Sequence, residues 1–94
     1  MISIKKILEF VALHPKAESA LIAWYDTVKQ ANWENMVQMK ALFPSADLVG
    51  RRTVFNIMGG YFRLIARVNY ARKLVFILYI LTHKEYDREK WKEE

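Results

Sequence analysis

"YFRLIARVNY", residues 61–70, is the stretch that decides the fold. Along a strand, successive side chains go to opposite faces, and here that alternation yields two unlike sets. Phe62, Leu64, Ala66, Val68 and Tyr70 form an apolar set that belongs on a core, while Tyr61, Arg63, Ile65, Arg67 and Asn69 form the opposite face. Arg63 and Arg67 are therefore expected on one surface of a sheet, roughly 13 Å apart at the usual rise per residue.

The neighbouring segments extend this strand into a sheet. "ARK" (71–73) reads as a hairpin turn and "LVFILYIL" (74–81) as a further strand, apolar on both faces as a central strand buried on both sides would be. The turn admits two pairings that put Leu78 on opposite faces, so the register stays open. On the other side, "MGG" (58–60) reads as a turn and "TVFNI" (53–57) as a strand.

"LTHKEYD" (81–87) has the marks of a helix start. Thr82 as N-cap with Glu85 three residues on is a capping box, and Leu81 before it with Tyr86 after it has the spacing of a hydrophobic staple. A last helix is expected from His83, carrying residues 84–94. The first turn of a helix disfavours a positive imidazolium, so a histidine at 83 asks for another reason, and proton transfer is one. A lone histidine at a helix start is also often incidental. His14, before Pro15, reads as a loop residue.

The first half has helical periodicity. Ser3 can cap a helix whose apolar face is Ile4, Ile7, Leu8 and Val11, ended by "HP" at His14 and Pro15. A second helix is expected over 18–31, with a buried stripe of Leu21, Trp24, Tyr25 and Val28. The first two helices can form a hairpin. Asn35 and Gln38 resemble a capping box opening a third, short helix that stops near "FPSAD". Helices first and strands after, with helices on one face of an antiparallel sheet, make an α+β domain.

Composition narrows the function. Ninety-four residues with 53% hydrophobic content make one small domain, with no room for a second. The absence of cysteine excludes disulfides, thiolate metal sites and a cysteine nucleophile. Two histidines and singly scattered acids suggest no metal site and no cofactor. Nothing resembles a signal peptide or a membrane span, so a soluble, cytoplasmic protein is expected. Residues 1–50 carry five lysines against five acids, whereas 51–94 carry ten basic residues against five acids, so the formal excess of +5 lies wholly in the second half. Residues 51–73 hold Arg51, Arg52, Arg63, Arg67, Arg72 and Lys73 and no acid at all. Guanidinium forks match phosphate oxygens, so either a polyanionic partner or a plain solvated basic face explains the run.

Four segments, "HPKAESALIAWYDTVKQANW", "KALFPSADLVGRRTVFNI", "YFRLIARVNY" and "LTHKEYDREKW", resemble in order and spacing the HigB-type toxins of bacterial type II toxin-antitoxin modules. The likeness covers nearly the whole chain, 1–94, as one RelE-like toxin domain. It implies a metal-independent mRNA endoribonuclease, usually working on the ribosome and silenced by a HigA-type helix-turn-helix antitoxin, through which alone operator DNA would be bound. Carried over by position, Arg63 would bind the scissile phosphate, and His83 and Tyr86 would form the site's C-terminal edge. Arg67 would support RNA binding on the same face. Apart from the resemblance, Arg51, Arg52, Arg72, Lys73 and Lys84 are candidate further RNA contacts by their charge, although Arg72 and Lys73, in the turn, also read as simply solvated. Two positions depart from the family pattern: Tyr61 stands where many relatives have a lysine, and Leu78 where many have an arginine. They leave open a second reading, an RNA- or ribosome-binding module without cleavage, and a third in which the basic face only receives an acidic antitoxin segment.

Overall fold

The structure, a computed structural model, describes residues 2–87. Three helices come first: α1 (Lys5–Leu13), α2 (Glu18–Gln30), entered through a 3₁₀ turn at Pro15–Ala17, and α3 (Met36–Leu42). Four strands follow, β1 (Asp47–Val49), β2 (Arg52–Ile57), β3 (Phe62–Asn69) and β4 (Leu74–Thr82), and then α4 (His83–Asp87). The strands form one antiparallel sheet in the order β1-β2-β3-β4. This is the expected α+β architecture. The part of the last helix expected over 88–94 lies outside the described residues.

Three helix boundaries have a clear local cause. α1 stops at the residue before Pro15, where helical backbone is disfavoured. Ser3 does not cap it: its hydroxyl accepts only the Lys5 N–H, at 3.3 Å, and Ile4 takes the N-cap position. Asn35 caps α3 by accepting the Gln38 N–H at 3.0 Å, and the Gln38 side chain returns a bond to the N–H of Glu34, one residue before the cap. Thr82 and Glu85 exchange two bonds, Thr82 N–H to Glu85 Oε1 at 2.9 Å and Glu85 N–H to Thr82 Oγ1 at 3.2 Å, so the capping box at α4 is closed.

The core lies between the helices and one face of the sheet. Ile7, Leu21, Trp24, Val28 and Met39 from the helices meet Phe55, Leu64, Ala66 and Ile77 from the strands. Each of the larger aliphatic and phenyl side chains contributes about 1.5–3 kcal/mol by leaving water, and Ala66 less. Trp24 and Phe43 both stand edge-on to Phe55, with ring centres 5.2 Å away. All five residues assigned to the core face of β3 pack there. Leu8 does not: it is 55% exposed, and Phe10 takes the place on the core expected for it.

β4 corrects two expectations. It is an edge strand of the four, not a central one, and its free edge is guarded by a parallel bridge from Ile2 to Val75 and by Lys6 Nζ donating to the Leu78 carbonyl at 3.2 Å. Its register is neither of two uniform pairings, because Ile65 pairs with Tyr79 while Ala66 pairs with Ile77, leaving Leu78 as an extra residue in a bulge. Parity therefore flips at Leu78: Val75 and Ile77 face the helices before it and Ile80 after it. An apolar sequence on both faces follows, without the strand being central.

A candidate RNA-cleavage site on the outer sheet face

The face turned away from α1–α3 has its own small cluster, Val54 and Ile65 with Val49, Leu81 and Tyr86 packed around them. α4 therefore folds back over the outer face, where Leu81 and Tyr86, at the spacing of a hydrophobic staple, both pack on this cluster. The turn before β3 supplies the other wall. Met58, Gly59 and Gly60 all have positive φ (54°, 63° and 98°), which turns the Gly60 carbonyl toward the start of β3.

Arg63 sits between these two walls. Its Nη1 donates to the Gly60 carbonyl at 2.7 Å, and its guanidinium carbon lies 5.0 Å from the centre of the Tyr86 ring. It is half-buried, and among the described residues no carboxylate forms an ion pair with it. A guanidinium fixed on one edge keeps its remaining N–H groups for an anion. His83 opens α4 beside it, its backbone N–H donating to the Tyr61 carbonyl at 3.1 Å. The His83 ring is not free, since Nδ1 lies 3.1 Å from Asp87 Oδ2. That contact engages one ring nitrogen, on a ring 60% exposed.

The other basic residues divide by place. Arg67 points from the same face as Arg63 but lies toward the far end of β3, where it lines a cleft with Arg51, Phe76 and Leu78. Arg52 lies one residue before the strand expected over 53–57 and is the first residue of β2; it is only 7% exposed and holds its guanidinium 5.5 Å from the centre of the Tyr79 ring. Lys84 is exposed in the first turn of α4, and Arg72 is exposed in the β3–β4 turn, where its N–H bonds Asn69. Lys73 lies away from all of them, on the helix side, donating to the Trp33 carbonyl and capping the Trp33 ring at 5.5 Å. Of the two departures, Tyr61 is 72% exposed at the entry to β3, and Leu78 is the bulge residue, so Tyr79 rather than Leu78 stands opposite Ile65. Two contributors escaped the sequence reading: Gly60, whose carbonyl orients Arg63, and Asp87, which holds His83. The doubled glycine and the i, i+4 spacing of His and Asp are the signals that carry them.

The sequence profile of a family described as the RelE-like toxic component of a toxin-antitoxin system matches residues 17–89. The chain belongs to the HigB toxin family. Among curated relatives, the "mRNA interferase toxin HigB" of Escherichia coli strain K12 is 29% identical over 90 residues, covering 93% of this chain and 86% of the relative. The "mRNA interferase HigB" of Shigella flexneri has the same identity and coverage. That of Escherichia coli O6:H1 strain CFT073 is 30% identical over 78 residues, covering 80% of this chain and 76% of the relative. The HigB match spans α2 through α4 and so contains the whole outer face. No helix among the described residues is long and apolar enough to cross a membrane.

Proposed function

We propose that this HigB-family toxin is an mRNA endoribonuclease that halts translation, with Arg63 as the clamp on the scissile phosphate. The observation that carries this reading is the fixed guanidinium of Arg63, held by Gly60 and Tyr86 with no acid paired to it among the described residues. In the reaction, the 2′-hydroxyl of the RNA attacks the adjacent phosphorus. A proton leaves that hydroxyl, the bond from phosphorus to the 5′-oxygen breaks, and the departing oxygen takes up a proton, giving a cyclic phosphate and a 5′-hydroxyl end. Charge builds on the non-bridging oxygens as the bond forms, and a pre-placed guanidinium stabilises it without reorganising. In this reading His83, whose ring contacts Asp87, and Tyr86 move the two protons. No step calls on a metal. Arg67 and Arg51 extend the basic face along the RNA.

The substrate in this reading is mRNA engaged on the ribosome, and the silencing partner is a HigA-type helix-turn-helix antitoxin, through which operator DNA is reached. One transition-state donor of this kind is worth about 3 kcal/mol, a hundredfold or more in rate. Arg63→Ala is therefore expected to abolish growth arrest while the protein stays folded. Primer extension on mRNA from induced cells should show new discrete 5′ ends with the parent protein and none with the variant. Arrest by the parent without new ends would make the protein a binder and reject cleavage. Repeating the assay on naked and ribosome-engaged mRNA tests where the RNA is cut.

A further inference from the structure

The far end of the outer face holds a cleft of about 680 Å³, open to solvent and lined by Arg51, Arg67, Asn69, Phe76 and Leu78 among others. Phe76 is 54% exposed although it lies within the β3–β4 ladder, directly opposite Arg67 in the register. A phenyl ring standing in water beside two exposed guanidiniums is poorly explained by packing, since none of the three belongs to either apolar cluster. No carboxylate lines the cleft, and among the described residues Arg51 and Arg67 form no ion pair. The ligand that matches cations and a flat apolar plate together is a single-stranded nucleic acid, whose phosphates take the cations and whose unpaired bases stack on rings and guanidinium planes.

We propose that this cleft is a nucleobase subsite: Phe76 stacks one unpaired base of the bound RNA, and Arg51 and Arg67 hold the phosphates flanking it. The inference rests on the nuclease reading above. Arg67 lies four residues along β3 from Arg63, roughly 13 Å at the strand rise, so the stacked base belongs to a neighbouring nucleotide and not to the one being cut. The cleft then sets where along the message the toxin cuts.

The test uses the full chain carrying Arg63→Ala, which removes cleavage, and short single-stranded RNAs with 2-aminopurine placed at successive positions. Stacking on Phe76 should quench the fluorophore at one position only. Adding Phe76→Leu, which keeps apolar bulk and removes the ring, should abolish that quenching and weaken binding roughly tenfold, the scale of one lost base–aromatic stack; Phe76→Trp should retain both. In the cleaving protein, sequenced 5′ ends should lose their base preference at a fixed distance from the cut on Phe76→Leu. Unchanged quenching and affinity in Phe76→Leu would overturn the subsite, as would a loss confined to antitoxin binding, which would make the cleft a protein-docking surface. The two readings fail separately: no cleavage by the parent with Phe76-dependent quenching intact rejects the nuclease alone, whereas normal cleavage with unaltered site preference in Phe76→Leu rejects the subsite alone.

Discussion

Arg63 and Tyr86 meet across the outer sheet face, guanidinium carbon to ring centre 5.0 Å, so the proposed phosphate clamp is tied to the short helix that follows β4. The ring does two things at once. It covers one face of the guanidinium, and it packs against Val54 and Ile65.

Tyr86→Ala should therefore damage both activity and stability. The ring is half-buried, so the loss of stability should be ~1–2 kcal/mol, below the 3–5 typical of fully buried aromatics. Tyr86→Phe keeps the packing and the cation–π contact, and its urea midpoint should stay near the parent's. Any fall in its cleavage rate then measures the hydroxyl alone. If Tyr86→Phe and Tyr86→Ala were equally stable, the ring would not be the anchor of α4.

Gly60 and Gly59 provide a sharper separation. A Cβ on Gly60 would come within 2.6 Å of Arg63 Nη1, whereas one on Gly59 meets nothing within 4 Å, and both residues have positive φ. Alanine at either should cost about 1 kcal/mol of backbone strain. Only Gly60→Ala should also displace the guanidinium, so its cleavage rate should fall tenfold or more while Gly59→Ala keeps the parent's. Equal rates in the two variants would show that placing Arg63 does not depend on the missing side chain at Gly60.

Local chemistry made much of this legible, and non-local pairing hid the rest. The Thr82–Glu85 box, the Asn35 cap and the core side of β3 follow from residues a few positions apart, which a sequence displays directly. The edge position of β4 and its bulge depend on what pairs with what across the sheet, and one inserted residue reverses every later side chain. β1 is only three residues long, with no alternation to detect; its trace is the Gly50-Arg51 turn joining Val49 to Arg52, a two-residue hairpin. Without that hairpin the expected strand begins at Thr53, one residue short of Arg52. The one-signed run 51–73 likewise hid a division, since Arg63 and Arg67 face outward while the last residue, Lys73, turns back to Trp33 on the helix side.

Tyr70 carries a pH dependence. Burial pushes its phenol above the usual range, partly offset by a hydrogen bond with Thr53. Its hydroxyl also donates to Met36 Sδ at 3.3 Å, and its ring stands edge-on to Trp33. The folded state thus favours the neutral phenol, and the unfolded chain ionises first, near pH 10. The contribution is complete below that value and is lost as pH rises through the higher folded one. Tyr70→Phe should cost about 1 kcal/mol at neutral pH, and the gap between the two urea midpoints should narrow from pH 9 to 11. Parallel decline of both proteins would show that the phenol does not titrate with unfolding.

His83 and Asp87 are the last pair to be separated into structure and chemistry. As an exposed i, i+4 contact on a short helix, the pair should be worth only ~0.3–0.5 kcal/mol, so neither His83→Gln nor Asp87→Asn should move the urea midpoint far. If the ring moves a proton in the cleavage step, His83→Gln should slow it 10²- to 10⁴-fold. Asp87→Asn keeps an acceptor on Nδ1 but removes its charge, so it should give an intermediate rate. Single-turnover cleavage across pH 5–9 measures all three proteins on one scale. Should both variants cut at the parent's rate with its pH profile, the pair only closes the first turn of α4, and proton transfer must be sought at Tyr86.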